Sequence, residues 1–238
     1  MIAPRRPAEI LIIVTAKPNG AKTRVLVIDD QPVVRERLAD LIGSQDDLCL
    51  CGEADDARTA MQLTASTRPD IVVTGLSLKH GHGLGFIKDL CIQFPQLRVL
   101  VFSAYDEALY AERVVKAGAK GFVNKREPTN QVLEAIRKIL HGEIHLSPRI
   151  SVAAVQRYFG RSSIAAGSSL EQLSDRELEV LQLIGQGRST RQVADALHVD
   201  VKTIETYRAR IKTKLNLESA GALREFAERF LAGEISSV

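Results

Sequence analysis

The chain has 238 residues, which is long enough for two domains that each bury their own hydrophobic core. Its 45% hydrophobic and 26% charged residues are the ordinary balance of a soluble protein, and a net charge of +3 says little about partners. Three cysteines in a chain of this length argue against a disulfide-stabilised protein, so we expect a reducing, cytoplasmic setting.

Residues 1–23 are expected to be an N-terminal extension outside the first domain. Turn-forming residues occur at both ends of this segment, which contains four cations and one acid. We favour an unstructured extension, with a basic arm that touches DNA or a partner as the alternative. The apolar run at 10–14 is too short to span a membrane and lacks a small-residue cleavage site.

From residue 24 to residue 142 the chain alternates short apolar runs with stretches of helical period. The apolar runs predict five strands, at 24–28, 48–54, 71–74, 98–102 and 121–124. The remaining stretches predict helices at 32–45, 57–67, 84–94, 107–117 and 129–141. The first helix should turn Val33, Val34, Leu38, Leu41 and Ile42 inward. This order is typical of an α/β domain with a parallel sheet covered on both faces.

Side chains that can carry chemistry follow three of the predicted strands. Ligands of such sheets bind at the carboxyl ends of the strands, where the chain order switches. Asp29 and Asp30 follow the first strand and suit a hard cation such as Mg²⁺, which takes oxygen ligands. Ser103 and Lys125 follow the fourth and fifth strands, where a hydroxyl and a lysine could hold a phosphoryl group.

These residues and their neighbours resemble the receiver domain of response regulators. The matching runs are Val27-Ile-Asp-Asp30, Phe102-Ser-Ala104 and Ala117-Gly-Ala-Lys-Gly-Phe-Val-Asn-Lys125. The resemblance covers residues 24–142 and implies a five-stranded, doubly wound parallel sheet of the flavodoxin-like kind. In that family, an aspartate at the end of the third strand accepts the phosphoryl group.

The sequence departs from the family at this acceptor position. Alignment of residues 69–78 with the family pattern places Gly75 there, and glycine has neither a carboxylate nor a nucleophile. Asp70 cannot substitute, because it precedes the strand and should lie roughly 16 Å away at ~3.3 Å per residue. We therefore expect a degenerate receiver that aspartyl phosphorylation does not switch. Its remaining polar residues should form a mutually paired cluster rather than a working metal site, with no cofactor.

Other inputs remain open. The loop Lys79-His-Gly-His-Gly83 could bind a metal or sense pH, although a solvated loop is preferred. Cys49 and Cys51, which should share one face of a strand, and Cys91 could form a redox switch, although buried small side chains are preferred. Phosphorylation of a nearby hydroxyl by a kinase has no local support. Our first choice is constitutive activity, with the receiver surfaces setting dimerisation or partner choice.

Residues 143–169 are expected to connect the two domains. Ser147 followed by Pro148 predicts the start of a short helix that runs to residue 159, because proline suits the first turn after a serine cap. The segment 160–169 is small and polar, which is typical of a flexible linker. Such a linker lets the domains reorient.

Residues 170–235 are expected to form an all-α domain whose first helix has clear signals at both ends. Ser174 followed by Glu177 predicts a capping box, in which side chain and backbone bond reciprocally. Gly185 and Gly187 are expected to stop this helix.

The next two helices have the plan of a helix-turn-helix. Ser189 is expected to cap a short helix at 190–197, and residues 198–200 should form a tight turn. Asp200 can then cap a long helix at 201–215.

The long helix has two different faces. At 100° per residue, Ile204, Ile211 and Leu215 fall on one face that can be buried. The opposite face carries hydrogen-bonding side chains around Ala209, between cationic flanks. This pattern suits a helix in the major groove, where bases are read in the middle and phosphates are held at the edges. Residues 188–214 contain seven Lys and Arg against three acidic residues, so the positive charge is local.

Three linked motifs, at 173–181, 189–194 and 201–208, resemble the LuxR-type helix-turn-helix of the NarL/FixJ response regulators. The resemblance implies a fourth helix at 220–230, which often forms the dimer contact. Arg191 should hold a phosphate, Glu205 could accept from a cytosine amino group, and Thr206 could contact a thymine methyl group. The DNA surface that the match implies consists of Arg191, Lys202, Thr203, Glu205, Thr206, Tyr207, Arg208, Arg210 and Lys212.

We therefore interpret the chain as a sequence-specific transcription regulator that binds double-stranded DNA, as a homodimer, without phosphorylation. The alternative is an interaction protein that does not bind DNA and that pairs with and modulates another regulator. An enzyme that uses Asp29 and Asp30, such as a phosphatase, is disfavoured because the nucleophile is missing.

Overall fold

The computed structural model of this protein describes residues 22–79, 81–158, 169–197 and 199–235. Its strands are β1 (Thr23–Ile28), β2 (Leu48–Ala54), β3 (Ile71–Thr74), β4 (Ser77–Leu78), β5 (Gly81–His82), β6 (Arg98–Ser103) and β7 (Gly121–Asn124). Its α-helices are α1 (Pro32–Gly43), α2 (Ala57–Thr67), α3 (Gly83–Gln93), α4 (Glu107–Lys116), α5 (Asn130–Leu140), α6 (Pro148–Tyr158), α7 (Asp175–Gly185), α8 (Thr190–Leu197), α9 (Val201–Lys214) and α10 (Ala220–Leu231). A 3-10 turn at Ser169–Gln172 precedes α7. The expected extension up to residue 21, the linker at 159–168, and His80 and His198 lie outside the described residues.

Five strands form one sheet in the order β2-β1-β3-β6-β7, and every pair in it is parallel. The chain order switches at β1, which has β2 on one side and β3 on the other. The prediction of a doubly wound, five-stranded parallel sheet is confirmed. The predicted helix and strand ends agree with the structure to within two residues. The short antiparallel hairpin of β4 and β5, which fills the loop after β3, was not predicted.

Both faces of the sheet are buried because alternate residues of each strand enter different cores. On β1, Val25 and Val27 pack with α1 and α5, whereas Leu26 and Ile28 pack on the side of α2, α3 and α4. None of these four side chains is more than 1% exposed. Each buried aliphatic side chain of this size stabilises the fold by roughly 1.5–3 kcal/mol. A parallel strand covered on two faces therefore requires a continuous apolar run.

Two details of the first two elements differ from the predictions. Val33 was expected to face inward but is 75% exposed, because Leu38 and Ile42 set the buried face of α1 and Val33 lies about 140° from Leu38 around the helix. On β2, the register with β1 shifts at a bulge around Cys51, which the sequence did not predict.

The chain that leaves the sheet domain covers the outer edge of β7. The backbone N–H of Phe122 donates to the carbonyl of His145 at 2.9 Å, and that of His145 donates to the carbonyl of Lys120 at 2.9 Å. The backbone N–H of Ser147 then donates to the Glu107 carboxylate at 2.8 Å. The start of the predicted linker is therefore attached to the sheet domain, and an open strand edge is avoided.

The helical domain begins with the predicted caps. Ser174 Oγ accepts from the backbone N–H of Glu177, whose carboxylate accepts from the backbone N–H of Ser174, so the capping box is confirmed. Ser189 and Gln192 form the same reciprocal pair before α8, at 3.3 and 2.8 Å. The prediction for Asp200 is wrong in part: it occupies the N-cap position of α9, but its side chain makes no capping hydrogen bond.

α9 packs against α7 and α8, and α10 packs along α7. Ile204 and Ile211 of α9 are both fully buried, as their spacing predicted. The turn between α7 and α8 includes Gly187 with φ of +77°, a conformation that glycine adopts without steric cost. No helix in the described ranges is both long enough and apolar enough to cross a lipid bilayer.

Candidate nucleic-acid interface and acidic pocket

The predicted pocket residues lie together at the carboxyl edge of the sheet. Asp29 and Asp30 follow β1, Ser103 ends β6, and Lys125 follows β7. Lys125 Nζ lies 2.6 Å from Asp29 Oδ2, and both side chains are largely buried, at 13% and 2% exposed. Parallel strands place their carboxyl ends at one edge, which is why residues nearly 100 positions apart in sequence can meet here. We call Asp29, Asp30, Gly75, Ser77, Ser103 and Lys125 the acidic pocket.

Asp29 is held by hydrogen bonds as well as by Lys125. Its Oδ1 accepts from the backbone N–H of Gln31 at 3.0 Å. Burial raises the pKa of the Asp29 carboxyl, while the hydrogen bond and charge of Lys125 act in the opposite direction. The raised pKa shows that burial outweighs the ion pair. The ammonium group of Lys125 partly offsets the unfavourable burial of this carboxylate.

Asp30 has a different set of partners, which the sequence did not indicate. Ser77 Oγ, on the short hairpin, donates to Asp30 Oδ2 at 3.0 Å. Asp30 Oδ1 is buried and has no hydrogen-bond partner among the described residues. Ser103, also buried, accepts from the backbone N–H of Tyr105 at 3.2 Å. Ser77 belongs to β4, and Gly75, two residues before it, is already hydrogen-bonded to the end of β1.

Gly75 begins the turn after β3, and the space beside it is already used. A Cβ atom at this position would lie 2.8 Å from Asp29 Oδ2, so the Asp29 carboxylate occupies the place of a side chain. The backbone N–H of Gly75 donates to the carbonyl of Ile28 at 2.8 Å. Asp70 lies at the opposite end of β3, where its carboxylate accepts from the backbone N–H of Arg24 at 2.7 Å, as expected.

The pocket does not fit the Mg²⁺ ion that a working receiver would require. Asp29 is paired with Lys125, and Asp30 shares its carboxylate with Ser77. Among the described residues, no three His, Cys, Asp or Glu side chains are grouped to hold a metal ion. An oxygen-rich set of ligands is what this cation needs. The donors present therefore favour a paired polar cluster over a metal site.

The second candidate site is the outward face of α9. Lys202, Glu205, Thr206 and Arg210 are exposed, while Ile204 on the opposite side is buried. We call these four exposed residues the reading face. The other predicted contact residues of this helix are half-buried at its margins, and they are Thr203, Tyr207, Arg208 and Lys212.

The charges of this surface are available to a ligand. Within the parts of the chain that the structure describes, Arg191, Lys202 and Arg210 form no ion pair. Burial lowers the pKa of Arg208, and the nearby Arg224 of α10 adds to this effect. Arg224 was not predicted to lie near the DNA surface, because the resemblance implied only a dimer contact for its helix. Thr206 donates its hydroxyl to the carbonyl of Lys202 at 3.0 Å, which leaves the methyl group as its free part.

The chain matches two family models in sequence order. The response regulator receiver domain matches residues 25–137, and the luxR family of bacterial regulatory proteins matches residues 171–227. Each matched range contains one of the two candidate sites described above.

Curated relatives match over nearly their whole length. The oxygen regulatory protein NreC of Staphylococcus carnosus is 32% identical over 208 residues, which is 86% of this chain and 96% of the relative. NreC of Staphylococcus epidermidis is 32% identical over 209 residues, with the same coverage. The likeness therefore includes both domains and their order.

Solved structures share the fold. RcsB of Salmonella typhimurium superposes with a TM-score of 0.70 at 23% identity, over 88% of this chain and 98% of that chain. RcsB of Salmonella enterica serovar Typhimurium bound to the rprA promoter, with a phosphomimetic, gives 0.67 at 22% identity, over 87% and 99%. A LuxR-family response regulator from an Aurantimonas species gives 0.54 at 30% identity, over 58% of this chain and 99% of that chain.

Proposed function

Since this chain belongs to the NarL/FixJ family of DNA-binding response regulators, we propose that it is a sequence-specific transcription regulator whose DNA binding does not depend on aspartyl phosphorylation. The observation that carries the DNA-binding part is the reading face of α9, which is exposed and polar while the other side of the helix is buried. A regulator of this family acts by binding DNA and not by catalysis.

The arrangement of α8 and α9 supports distinct roles for the contact residues. Arg191 at the start of α8 and Lys202 at the start of α9 are exposed cations that can hold phosphates on either side of the groove. Glu205 can accept from a cytosine amino group, and the free methyl group of Thr206 can contact a thymine methyl group. The remaining members of the proposed surface flank these residues on α9, and they are Thr203, Tyr207, Arg208, Arg210 and Lys212.

Replacing Lys202 with alanine should weaken binding to all duplex sequences by a similar factor. If Lys202 neutralises one phosphate, the plot of log affinity against log salt should become shallower by about 0.9. Fluorescence anisotropy titrations at several salt concentrations measure both quantities. Lys120→Ala, an exposed lysine of the sheet domain, is the matched control and should leave the slope unchanged. An unchanged slope for Lys202→Ala would contradict its phosphate contact.

Phosphorylation independence is supported by the acidic pocket. Gly75 provides no acceptor, and the Asp29 carboxylate already fills the adjoining space. Lys125 is engaged with Asp29 at 2.6 Å instead of facing an empty pocket. We regard the receiver as a structural module that does not change state on phosphorylation. The ion pair of Asp29 and Lys125 holds it in one state.

Acetyl phosphate with Mg²⁺ should leave the mass of the wild-type protein unchanged, because the pocket has no acceptor carboxylate. Intact-protein mass spectrometry tests this directly. The Gly75→Asp variant, which supplies the missing carboxylate, is the matched comparison. An added phosphoryl group on the wild type that hydroxylamine removes would show that another acid serves as acceptor.

The remaining parts of the proposal concern organisation. We propose a degenerate receiver at 24–142, a linker with a short helix at 143–169 and a DNA-binding domain at 170–235. The ranges of the two matched family models support this division. A homodimer in the cytoplasm is consistent with the RcsB dimers described on DNA and with three free cysteines.

A further inference from the structure

Side chains of α4 in the sheet domain contact α7 in the helical domain. Arg113 of α4 forms an ion pair with Asp175 in the first turn of α7. The same guanidinium donates to the carbonyl of Leu173 at 2.8 Å. One turn away on α4, the hydroxyl of the buried Tyr110 accepts from the side-chain amide of Gln182. We call these contacts the α4–α7 brace.

The brace is not a set of loose surface contacts. The Arg113 side chain is only 16% exposed, and Gln182 is 7% exposed although it lies on a helix of the other domain. A buried glutamine that is hydrogen-bonded across a domain boundary fixes orientation, because its amide loses its partner when the domains separate. Because α7 is held at both Asp175 and Gln182, the helical domain cannot rotate freely about either contact.

The sheet-domain side of the brace is held from the acidic pocket. The Tyr110 ring stacks on that of Tyr105, with 5.2 Å between ring centroids. Tyr105 lies beside Ser77, whose hydroxyl donates to Asp30 Oδ2 at 3.0 Å. A continuous chain of contacts therefore runs from the pocket remnant to Gln182. The acidic pocket and α4 are therefore in contact through Tyr105.

The reading face stays open while the brace is closed. Lys202, Glu205, Thr206 and Arg210 are exposed in the same structure in which Arg113 and Asp175 are paired, and so is Arg191. The brace contacts Asp175 and Gln182 of α7, whereas α9 presents its polar side to solvent. Closure of the domains therefore does not cover the surface proposed to bind DNA.

We propose that the α4–α7 brace is part of the DNA-binding conformation, so that the receiver acts as a rigid support for the helix-turn-helix and not as a block on it. The inference rests on the proposed DNA binding and adds a role for Tyr110, Arg113, Asp175 and Gln182. Linkage then requires reciprocity: if closure favours DNA binding, DNA must favour closure by the same factor.

Reversing the charge of Arg113 tests the sign of this coupling. Arg113→Glu places two acids against each other at Asp175 and should open the brace. The probe is a fluorescein-labelled duplex that the wild-type protein enriches from a random library. We expect the affinity of the full-length variant for this duplex to fall by about five- to tenfold. Small-angle X-ray scattering should show an expanded protein without DNA and a more compact one with it.

Two further sets of variants separate the brace from general damage. Arg37→Glu makes the same change on the exposed surface of α1 and should behave like wild type. Tyr110→Phe leaves Gln182 unpaired and should weaken binding, whereas Tyr110→Phe with Gln182→Leu replaces the polar pair by an apolar one and should recover most of the loss. Circular dichroism checks that each variant is folded.

The possible outcomes have distinct meanings. Tighter binding by Arg113→Glu would mean that the brace blocks DNA, and unchanged binding by an expanded variant would mean that the brace is irrelevant to it; either result overturns the inference. If the wild-type protein enriches no duplex and binds none at low salt, the proposed DNA-binding function itself fails. Weaker binding by both single variants, with recovery in the double variant, supports the brace.

Discussion

Replacing Lys125 with methionine should destabilise the protein by about 3 kcal/mol at neutral pH, because it leaves a buried carboxylate without its partner. Asp29 is 2% exposed and lies 2.6 Å from Lys125, so solvent cannot replace the lost ammonium group. Methionine keeps most of the volume of the lysine stem, and the loss therefore reports the charge and not a cavity. Urea unfolding of the full-length variant measures the difference from wild type.

The pH dependence of this loss follows from Asp29. Burial already raises the pKa of its carboxyl in the folded protein, and Lys125 is the largest influence that lowers it. Without Lys125 the folded-state pKa rises further above the unfolded value. A carboxyl with a raised folded pKa loses stability as the pH rises through the interval between those two values. The deficit of Lys125→Met should therefore be largest at a pH above the raised folded-state pKa of Asp29 and shrink as the pH falls through that pKa, where Asp29 takes up a proton.

The double variant Asp29→Asn with Lys125→Met serves as the control for this prediction. It removes both charges, so its stability should recover at neutral pH and lose the pH dependence of the single variant. Breaking one partner of a buried pair is costly, whereas replacing both is often close to neutral. A single variant that is as stable as wild type at neutral pH would mean that Asp29 is solvated and not sealed in the pocket.

Adding one methyl group at Gly185 should destabilise the helical domain by roughly 2–3 kcal/mol. A Cβ atom there would lie 2.4 Å from the carbonyl oxygen and 2.8 Å from the carbonyl carbon of Ala227 on α10. These are backbone atoms of a packed helix and cannot rotate away, so α10 must move off α7. Loss of this packing also loosens the support of α9, and DNA affinity should fall with the folded fraction.

Gly221 provides the matched control in the same domain. It lies near the start of α10, and a Cβ atom there would meet only Ser219 Oγ, at 3.7 Å. Gly221→Ala should therefore be neutral or stabilising by about 0.5 kcal/mol, because alanine restricts the unfolded chain. Thermal unfolding of both full-length variants, with hydrogen exchange to locate the change in α7 and α10, tests the contrast. Equal stability of the two variants would contradict the close approach of α7 and α10.

Local signals in the sequence were sufficient for most of the architecture. The capping box of Ser174 and Glu177 depends on a spacing of three residues, and the buried side of α9 depends on the period of a helix, so neither requires knowledge of distant contacts. Val33 shows the limit of this reasoning. Its helix could be predicted, but the rotation of that helix against the sheet is set by Leu38 and Ile42 in the shared core.

Gly185 shows the same limit for a glycine. Its position after an apolar stripe predicted the end of a helix, and α7 does end there. The left-handed turn, however, falls at Gly187, with φ of +77°, while Gly185 is small because Ala227 approaches it closely. The residues along one helix indicate where that helix ends, but they do not indicate which other helix packs against it.

The sequence by itself determined the family and the order of the two domains, and it predicted that Gly75 replaces the acceptor, because motifs and spacings are local properties of the chain. Only the tertiary structure decided that Asp29 fills the space beside Gly75 and that Ser77 reaches Asp30. It also decided that Arg113 meets Asp175, 62 positions away in sequence. These contacts depend on how a loop folds back and how two cores dock, and such long-range packing leaves no periodic trace in the order of residues.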